Sequence, residues 1–366
     1  MTTTEKGCTM PRTSGLCEYP NLSERIHVAL AVYDPLGTYS QHAGVTMTSI
    51  FENTSSPVTI HLLHDETLTQ DNREKFIRTA EKYSQEIDFV DMTKYRDNLT
   101  DEMKAIASGR FTVGTLYRTF ISDALPELDK IIYLDCDILV NLDIKELWDI
   151  DIEQYSLAGI LDIAAFTTAP SKGKGLARAL ECKLYGANYK YHINGGVLYM
   201  NLKNIRKRGN LFEIVKNWCK RYGHLSGNAD QDALNSIFYG DIKIVDNKFN
   251  VYNLGGNISS CIAHTWTHKP WESFAGIWTD IFYWKMYLRS AWGENITTDD
   301  MLDKIGEMTK IHINYLNKEC NHSPVQCMKR IFKYFSYHIT YHIIPVRLIK
   351  LFFSDLYHRI KYKFSR

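Results

Sequence analysis

The chain has 366 residues, 43 Lys and Arg against 42 Asp and Glu, and 45% apolar side chains. That length holds one large α/β domain or two smaller ones, and either buries enough core to need no disulfide. Its eight cysteines include no C-x-x-C pair, which excludes the usual zinc and thiol-redox motifs.

Residues 1–24 read as a loose lead-in, Thr-rich at the start and without the apolar core of a secretory signal. No uninterrupted apolar run reaches the roughly 18 residues of a membrane span, so a cytoplasmic protein is expected. Ile26 to Tyr33 is a first buried strand, followed by a helical pattern through Val45, Met47, Ile50 and Phe51. Val58 to Leu63 is a second strand, Thr69 can cap a helix carrying Phe76, Ala80 and Tyr83, and Ile87 to Val90 is a third strand. Lys130 to Leu134 is a fourth apolar run, Leu157 to Leu161 another, and Val197 to Met200 a further strand after an Asn194-Gly195-Gly196 turn. Helices are expected over Leu211 to Tyr222 and from Ala229 onward, and Thr167 to Gly175 reads as a loop over a site or equally as an ordinary surface loop. Alternating strands and helices predict an α/β fold, a mostly parallel sheet with helices on both faces. Its ligands should gather at the carboxyl ends of strands.

Charge is unevenly spread. From Pro324 to Arg366 there are nine Lys or Arg, one acid, Asp355, and ten Phe or Tyr. Phe352, Phe353, Leu356, Ile360 and Phe364 recur at helical spacing, flanked by Arg347, Lys350, Arg359, Lys361 and Lys363. Such a helix suits an anionic lipid surface, which is favoured over a packed or dimerising helix and over RNA binding; no nucleic-acid partner is expected. The expected division is a lead-in over 1–24, a globular domain over 25–323 and a membrane-associating helical tail over 324–366, so that the protein sits at the inner face of the cell membrane.

The fourth apolar run ends abruptly in Asp135-Cys136-Asp137 and resumes as Ile138-Leu139-Val140. Burying an ionised carboxylate without a counter-charge costs several kcal/mol, about the scale at which an ion must be recruited. Hard oxygen ligands favour Mg²⁺ or Mn²⁺, and a cation at a strand end suggests diphosphate chemistry. An Asp pair in a solvated turn is the plain alternative, weakened by the apolar residues on both sides.

Four motifs in order, Leu134-Asp135-Cys136-Asp137, Asn194-Gly195-Gly196-Val197, Asp230-Gln231-Asp232-Ala233-Leu234-Asn235 and His264 followed by Lys269-Pro270-Trp271, resemble glycosyltransferase family 8 over roughly residues 26 to 275. That family contains retaining, nucleotide-sugar-dependent transferases of the GT-A fold, among them bacterial lipopolysaccharide galactosyl- and glucosyltransferases and the glycogenins. The resemblance implies a Rossmann-like GT-A sheet and a hexosyltransferase acting with Mn²⁺ (or Mg²⁺) on UDP-glucose or UDP-galactose. The acceptor would be a glycan or glycolipid of cell-surface polysaccharide or lipopolysaccharide.

By the same resemblance Asp135, Asp137 and His264 hold the cation, with His268 an alternative to His264, and Lys269 reaches the diphosphate. Arg118 bridges donor sugar and phosphate, Asp162 and Asp230 bind sugar hydroxyls, and Asn194, Gly195 and Gly196 let the backbone approach the sugar. Leu134 and Cys136 complete the donor-binding stretch. Ala31, Tyr33 and Asp34 face uracil and ribose and Tyr39 stacks on the base, although the segment Tyr33 to Tyr39 is about two residues longer than the family pattern. Gln231 lies beneath the anomeric carbon. An amide is a poor nucleophile, so front-face attack, with the UDP β-phosphate taking the acceptor proton and Gln231 stabilising the cationic sugar, is favoured over double displacement; Asp232 is the alternative nucleophile if the backbone rearranges. A catalytically silent glycan-binding protein on the same fold is the competing reading. A nucleotidyltransferase would need a Gly-rich phosphate loop near the first strand, which Gly37 alone does not supply.

Overall fold

The computed structural model describes residues 25–109, 111–162, 174–252, 259–266 and 268–320. The lead-in over 1–24, nearly all of the loop from Thr167 to Gly175 and the tail over 324–366 lie outside the described residues. Among those described, no helix is long and apolar enough to cross a membrane.

The main sheet has seven strands, β1 (Ile26–Val32), β2 (Val58–His64), β3 (Glu86–Asp91), β4 (Lys130–Leu134), β6 (Leu157–Leu161), β7 (Ile193–Asn201) and β8 (Ile242–Ile244), in the order β3-β2-β1-β4-β7-β6-β8. Neighbours pair in parallel except at β7, which runs against both β4 and β6. In β1 the alternating Ile26, Val28, Leu30 and Val32 are all fully buried in one apolar layer, while Ala29 faces the other. Both faces of the sheet are therefore covered, as a parallel arrangement requires.

A second sheet of three strands was only partly foreseen: β5 (Ile138–Asn141), β10 (Cys261–His264) and β9 (Val251–Tyr252), in the order β5-β10-β9. It matters because β5 leaves Asp137 directly and pairs antiparallel with β10, setting His264 opposite Ile138.

Helix α1 (Ser40–Asn53) is buried along most of its length, with Ala43, Met47 and Ile50 against the main sheet and Val45 against α5 (Trp278–Arg289). Gly44 is needed there: a Cβ at that position would stand 2.2 Å from the Trp292 ring. Helix α2 (Gln70–Lys82) starts as expected at Thr69, whose hydroxyl accepts the Asn72 N–H at 3.2 Å. Helices α3 (Leu211–Tyr222) and α4 (Asp230–Ile237) also begin where the sequence places them. A long helix, α6 (Thr298–Cys320), closes the described chain.

One local expectation is corrected. Asn194, Gly195 and Gly196 do not form a turn before a strand; they lie inside β7. Gly196 is required by close packing rather than by an unusual dihedral, since a Cβ would meet His264 Cε1 at 2.5 Å and an Asp135 oxygen at 3.0 Å.

Candidate active site

The chain leaves β1 for β2 and β3 on one side and returns to β4 on the other. A crevice thus opens between the carboxyl ends of β1 and β4, where such sheets bind ligands. Asp135 follows β4 immediately, and its N–H donates to the Gly196 carbonyl at 2.8 Å. The Thr265 N–H and hydroxyl both donate to the Asp137 carbonyl, at 3.0 and 2.9 Å, locking the end of β10 to the same turn. One ligand atom each from Asp135, Asp137 and His264 therefore lies within 4.8 Å of the others.

Electrostatics in this cluster are unusual. His264 Nε2 stands 3.2 Å from Asp137 Oδ1, yet that buried oxygen accepts no hydrogen bond among the described residues. Its partner oxygen meets the Lys269 ammonium. Burial pushes the Asp137 carboxyl up, but His264 and Lys269 outweigh it and hold the group well below the usual carboxylate range. An ionised oxygen with no donor, beside an imidazole nitrogen and a second carboxylate, is a set that Mn²⁺ or Mg²⁺ fits. Of the two candidate histidines it is His264 whose ring nitrogen comes within reach of both aspartates, whereas His268 Nε2 is engaged by Asp280 at 2.7 Å.

Arg118 joins this cluster to the next. It is 5% exposed, pairs with Asp135 at 3.1 Å and Asp230 at 2.9 Å, donates to the Gly195 carbonyl and lies over the Tyr133 ring at 4.4 Å. Burial opposes its charge, but the two carboxylates keep the guanidinium firmly protonated. Burial raises Asp230 to about 6 despite Arg118, with Asp135 adding to the rise. Asp230 also accepts the Thr115 hydroxyl at 3.0 Å.

On the other side, Gln231 Oε1 accepts the Gly195 N–H at 2.8 Å and Gln231 Nε2 donates to Asp162 at 2.9 Å. Asp162 also accepts the Tyr252 hydroxyl at 3.1 Å. Thus Arg118, Asp135, Asp137, Asp162, Asn194, Gly195, Gly196, Asp230, Gln231, His264 and Lys269 form one connected group.

Several other sequence-selected residues occupy different roles. Asp232 is fully buried and accepts from the Gly227 and Asn228 N–H groups at 2.8 and 3.1 Å and the Ser226 hydroxyl at 3.2 Å, with His192 Nε2 at 3.1 Å. That network builds the entry to α4 and turns the carboxylate away from nucleophilic duty. Asp34 is 1% exposed and accepts from the N–H groups of Tyr39 and Ser40, both at 2.8 Å, and the Ser40 hydroxyl at 2.6 Å. It starts α1 instead of facing the crevice with its oxygens. Leu134 and Cys136 point into the core, the thiol donating to the Ala31 carbonyl at 3.2 Å, so both can meet a ligand only through their backbone. Tyr33 is half-buried at the end of β1, and Tyr39 is 38% exposed with its ring edge-on to His42.

Two contributors escaped the sequence reading. Asn250 lies between His264 and Asn194, and Tyr252 steadies Asp162. Their only sequence signal is nearness to the weak strand β9, which has no long apolar run to announce it.

A mostly parallel sheet with acids and an imidazole gathered at its switch point has the outline of the GT-A fold. The model of "Glycosyl transferase family 8" matches residues 32–273, and the chain belongs to that family. It is 29% identical over 212 residues to a putative glycosyltransferase of Haemophilus influenzae, covering 58% of this chain and 60% of that protein. Against a lipopolysaccharide 1,2-glucosyltransferase of Escherichia coli it is 24% identical, covering 76% of this chain and 82% of the relative. The fold also matches the crystal structure of the galactosyltransferase LgtC in complex with donor and acceptor sugar analogues, with a TM-score of 0.61, 20% identity, and coverage of 76% of this chain and 100% of the other.

Proposed function

We propose that this protein is a retaining hexosyltransferase that moves glucose or galactose from UDP-glucose or UDP-galactose to a glycan or glycolipid acceptor in cell-surface polysaccharide or lipopolysaccharide synthesis. The observation that carries the reading is the donorless, ionised Asp137 oxygen beside His264, with the Gln231–Asp162 pair held on the same sheet edge. Asp135, Asp137 and His264 would hold Mn²⁺ or Mg²⁺, which when bound supplies Lewis-acid stabilisation of the departing diphosphate's charge.

The chain's own groups then divide the work. Lys269 offers a point charge to the diphosphate. Arg118, fixed by Asp135 and Asp230, presents a permanent cation between phosphate and sugar. Asp162 and Asp230 accept sugar hydroxyls, and Gln231 Oε1 is the dipole set to stabilise a cationic anomeric carbon. With the amide of Gln231, a poor nucleophile, proposed for that position, front-face attack is favoured, the acceptor hydroxyl passing its proton to the leaving phosphate. The basic aromatic tail over 324–366 would hold the enzyme to anionic lipid at the cytoplasmic side. Its removal should leave transfer to a soluble acceptor intact and weaken sedimentation with anionic vesicles; unchanged sedimentation would reject that assignment.

The decisive experiment incubates the full chain and Mn²⁺ with a panel of nucleotide sugars and measures the nucleoside diphosphate released. Slow, Mn²⁺-dependent release of UDP from one UDP-hexose is expected. A chain that binds UDP but cleaves no donor, with or without acceptor saccharides, would instead be the glycan-binding protein on the same fold.

A further inference from the structure

Four side-chain amides and rings form an unbroken line across the site. His264 Nδ1 lies 3.0 Å from Asn250 Oδ1, Asn250 Nδ2 lies 2.8 Å from Asn194 Oδ1, Asn194 Nδ2 lies 3.3 Å from Gln231 Oε1, and Gln231 Nε2 lies 2.9 Å from Asp162 Oδ2. An amide can be turned end for end without changing its shape, so the sense of such a line needs an anchor. Two anchors exist. The Gly196 N–H donates to Asn194 Oδ1 at 2.9 Å and the Gly195 N–H donates to Gln231 Oε1 at 2.8 Å. A backbone N–H can only donate, so both oxygens are fixed as acceptors.

The rest follows by elimination. Asn194 Oδ1 must be met by the nitrogen of Asn250, so Asn250 turns its oxygen to His264. That oxygen can only accept, which requires the proton of a neutral His264 ring to sit on Nδ1. Nε2 of the neutral ring then carries the lone pair, 3.2 Å from Asp137 Oδ1 without a hydrogen bond to it, inside the cluster formed with Asp135 and Asp137. We propose that Asn250 is a positioning residue whose amide, held by Asn194 and the two glycine N–H groups of β7, sets the Nδ1–H tautomer of His264 and so couples cation capture to the orientation of Gln231. The inference rests on the proposed cation site for its function but not for its geometry. Asn250 is 1% exposed, and no other polar side chain among the described residues meets both His264 and Asn194.

Two readouts test it without relying on transfer. Imidazole ¹⁵N shifts of the full chain, recorded without metal in mildly alkaline solution, should show His264 as Nδ1–H, and Asn250→Ala should lose that preference. Manganese binding, followed by the resonance of free Mn²⁺, should weaken about 10- to 100-fold in Asn250→Ala, the usual range when an outer partner of a ligating histidine is lost. Asn250→Asp keeps an acceptor for His264 but faces Asn194 Oδ1 with a second acceptor. It should therefore hold Mn²⁺ within about 10-fold of wild type, by the same comparison, while turnover falls and KM for the donor stays put. An Nε2–H tautomer in the unmodified chain overturns the proposal, as does an Asn250→Ala variant with unaltered Mn²⁺ affinity. Nδ1–H in a chain that binds no Mn²⁺ would sink the metal-dependent transferase reading and leave the tautomer assignment standing.

Discussion

The turns after β1 and β4 each place an aspartate at the mouth of the same crevice, yet the two acids do opposite jobs. Asp34 is met by two backbone N–H groups and a hydroxyl, and a carboxylate so satisfied builds structure. Asp137 is less deeply buried, yet one of its oxygens is shielded from solvent and accepts no hydrogen bond among the described residues. Residue type and place at a strand end are shared; the inventory of donors separates a helix-starting acid from a candidate ligand-binding one.

The sharpest way to break this contrast is Asp137→Ala, which should remove Mn²⁺ binding and lower transfer by about 10³-fold or more, measured as kcat/KM, with the fold retained. The mirror substitution, Asp34→Ala, should cost about 3 kcal/mol of folding stability in denaturant titration, since three hydrogen bonds to a charged group are lost, while Mn²⁺ affinity is retained. Equal loss of metal in both variants would show that the two acids are not distinct in kind. Gln231→Ala should lower turnover by about 100-fold with UDP affinity unchanged, as expected for a dipole used in the transition state.

The smallest expected effect concerns His42, whose ring stacks on Trp271 at 3.8 Å and meets the Tyr283 hydroxyl at 2.7 Å. Burial, aided by Lys269, depresses it from 6.5 to about 3. Between those values the unfolded chain binds a proton that the folded one refuses, so stability falls as pH drops below 6.5, by about 1 kcal/mol per pH unit. Asp230 acts with the opposite sign between 3.8 and about 6, the folded state being the better proton binder there. The measurement is therefore the difference between wild type and His42→Gln across pH 6.5 to 4.5, and identical slopes would refute the assignment.

Much of the candidate site was legible in the sequence because its groups are chemically conspicuous. Carboxylates breaking an apolar strand, a histidine and lysine ahead of Pro-Trp, and Asp230-Gln231 at a helix start mark themselves by being out of place. The roles of Asp34 and Asp232 were not legible, because their partners are largely backbone N–H groups whose direction exists only once the loops are folded. Asn250 was hidden for another reason: it reaches His264 across 14 residues and Asn194 across 56, through strands too short to register as periodic patterns. The ambiguity between His264 and His268 was a matter of one helix, since Asp280 of α5 claims the second ring.

Reversing a single strand has a further consequence. Because β7 runs against its neighbours, it brings its first residues, not its last, to the rim where β4 and β6 finish. Residues 194–196 therefore reach the candidate site while already clamped in a ladder, and that part of its floor inherits the stiffness of the sheet. On the proposed transferase reading, adaptation to different acceptors falls to the loops elsewhere on that rim, and exchanging them should change the acceptor more readily than the donor chemistry.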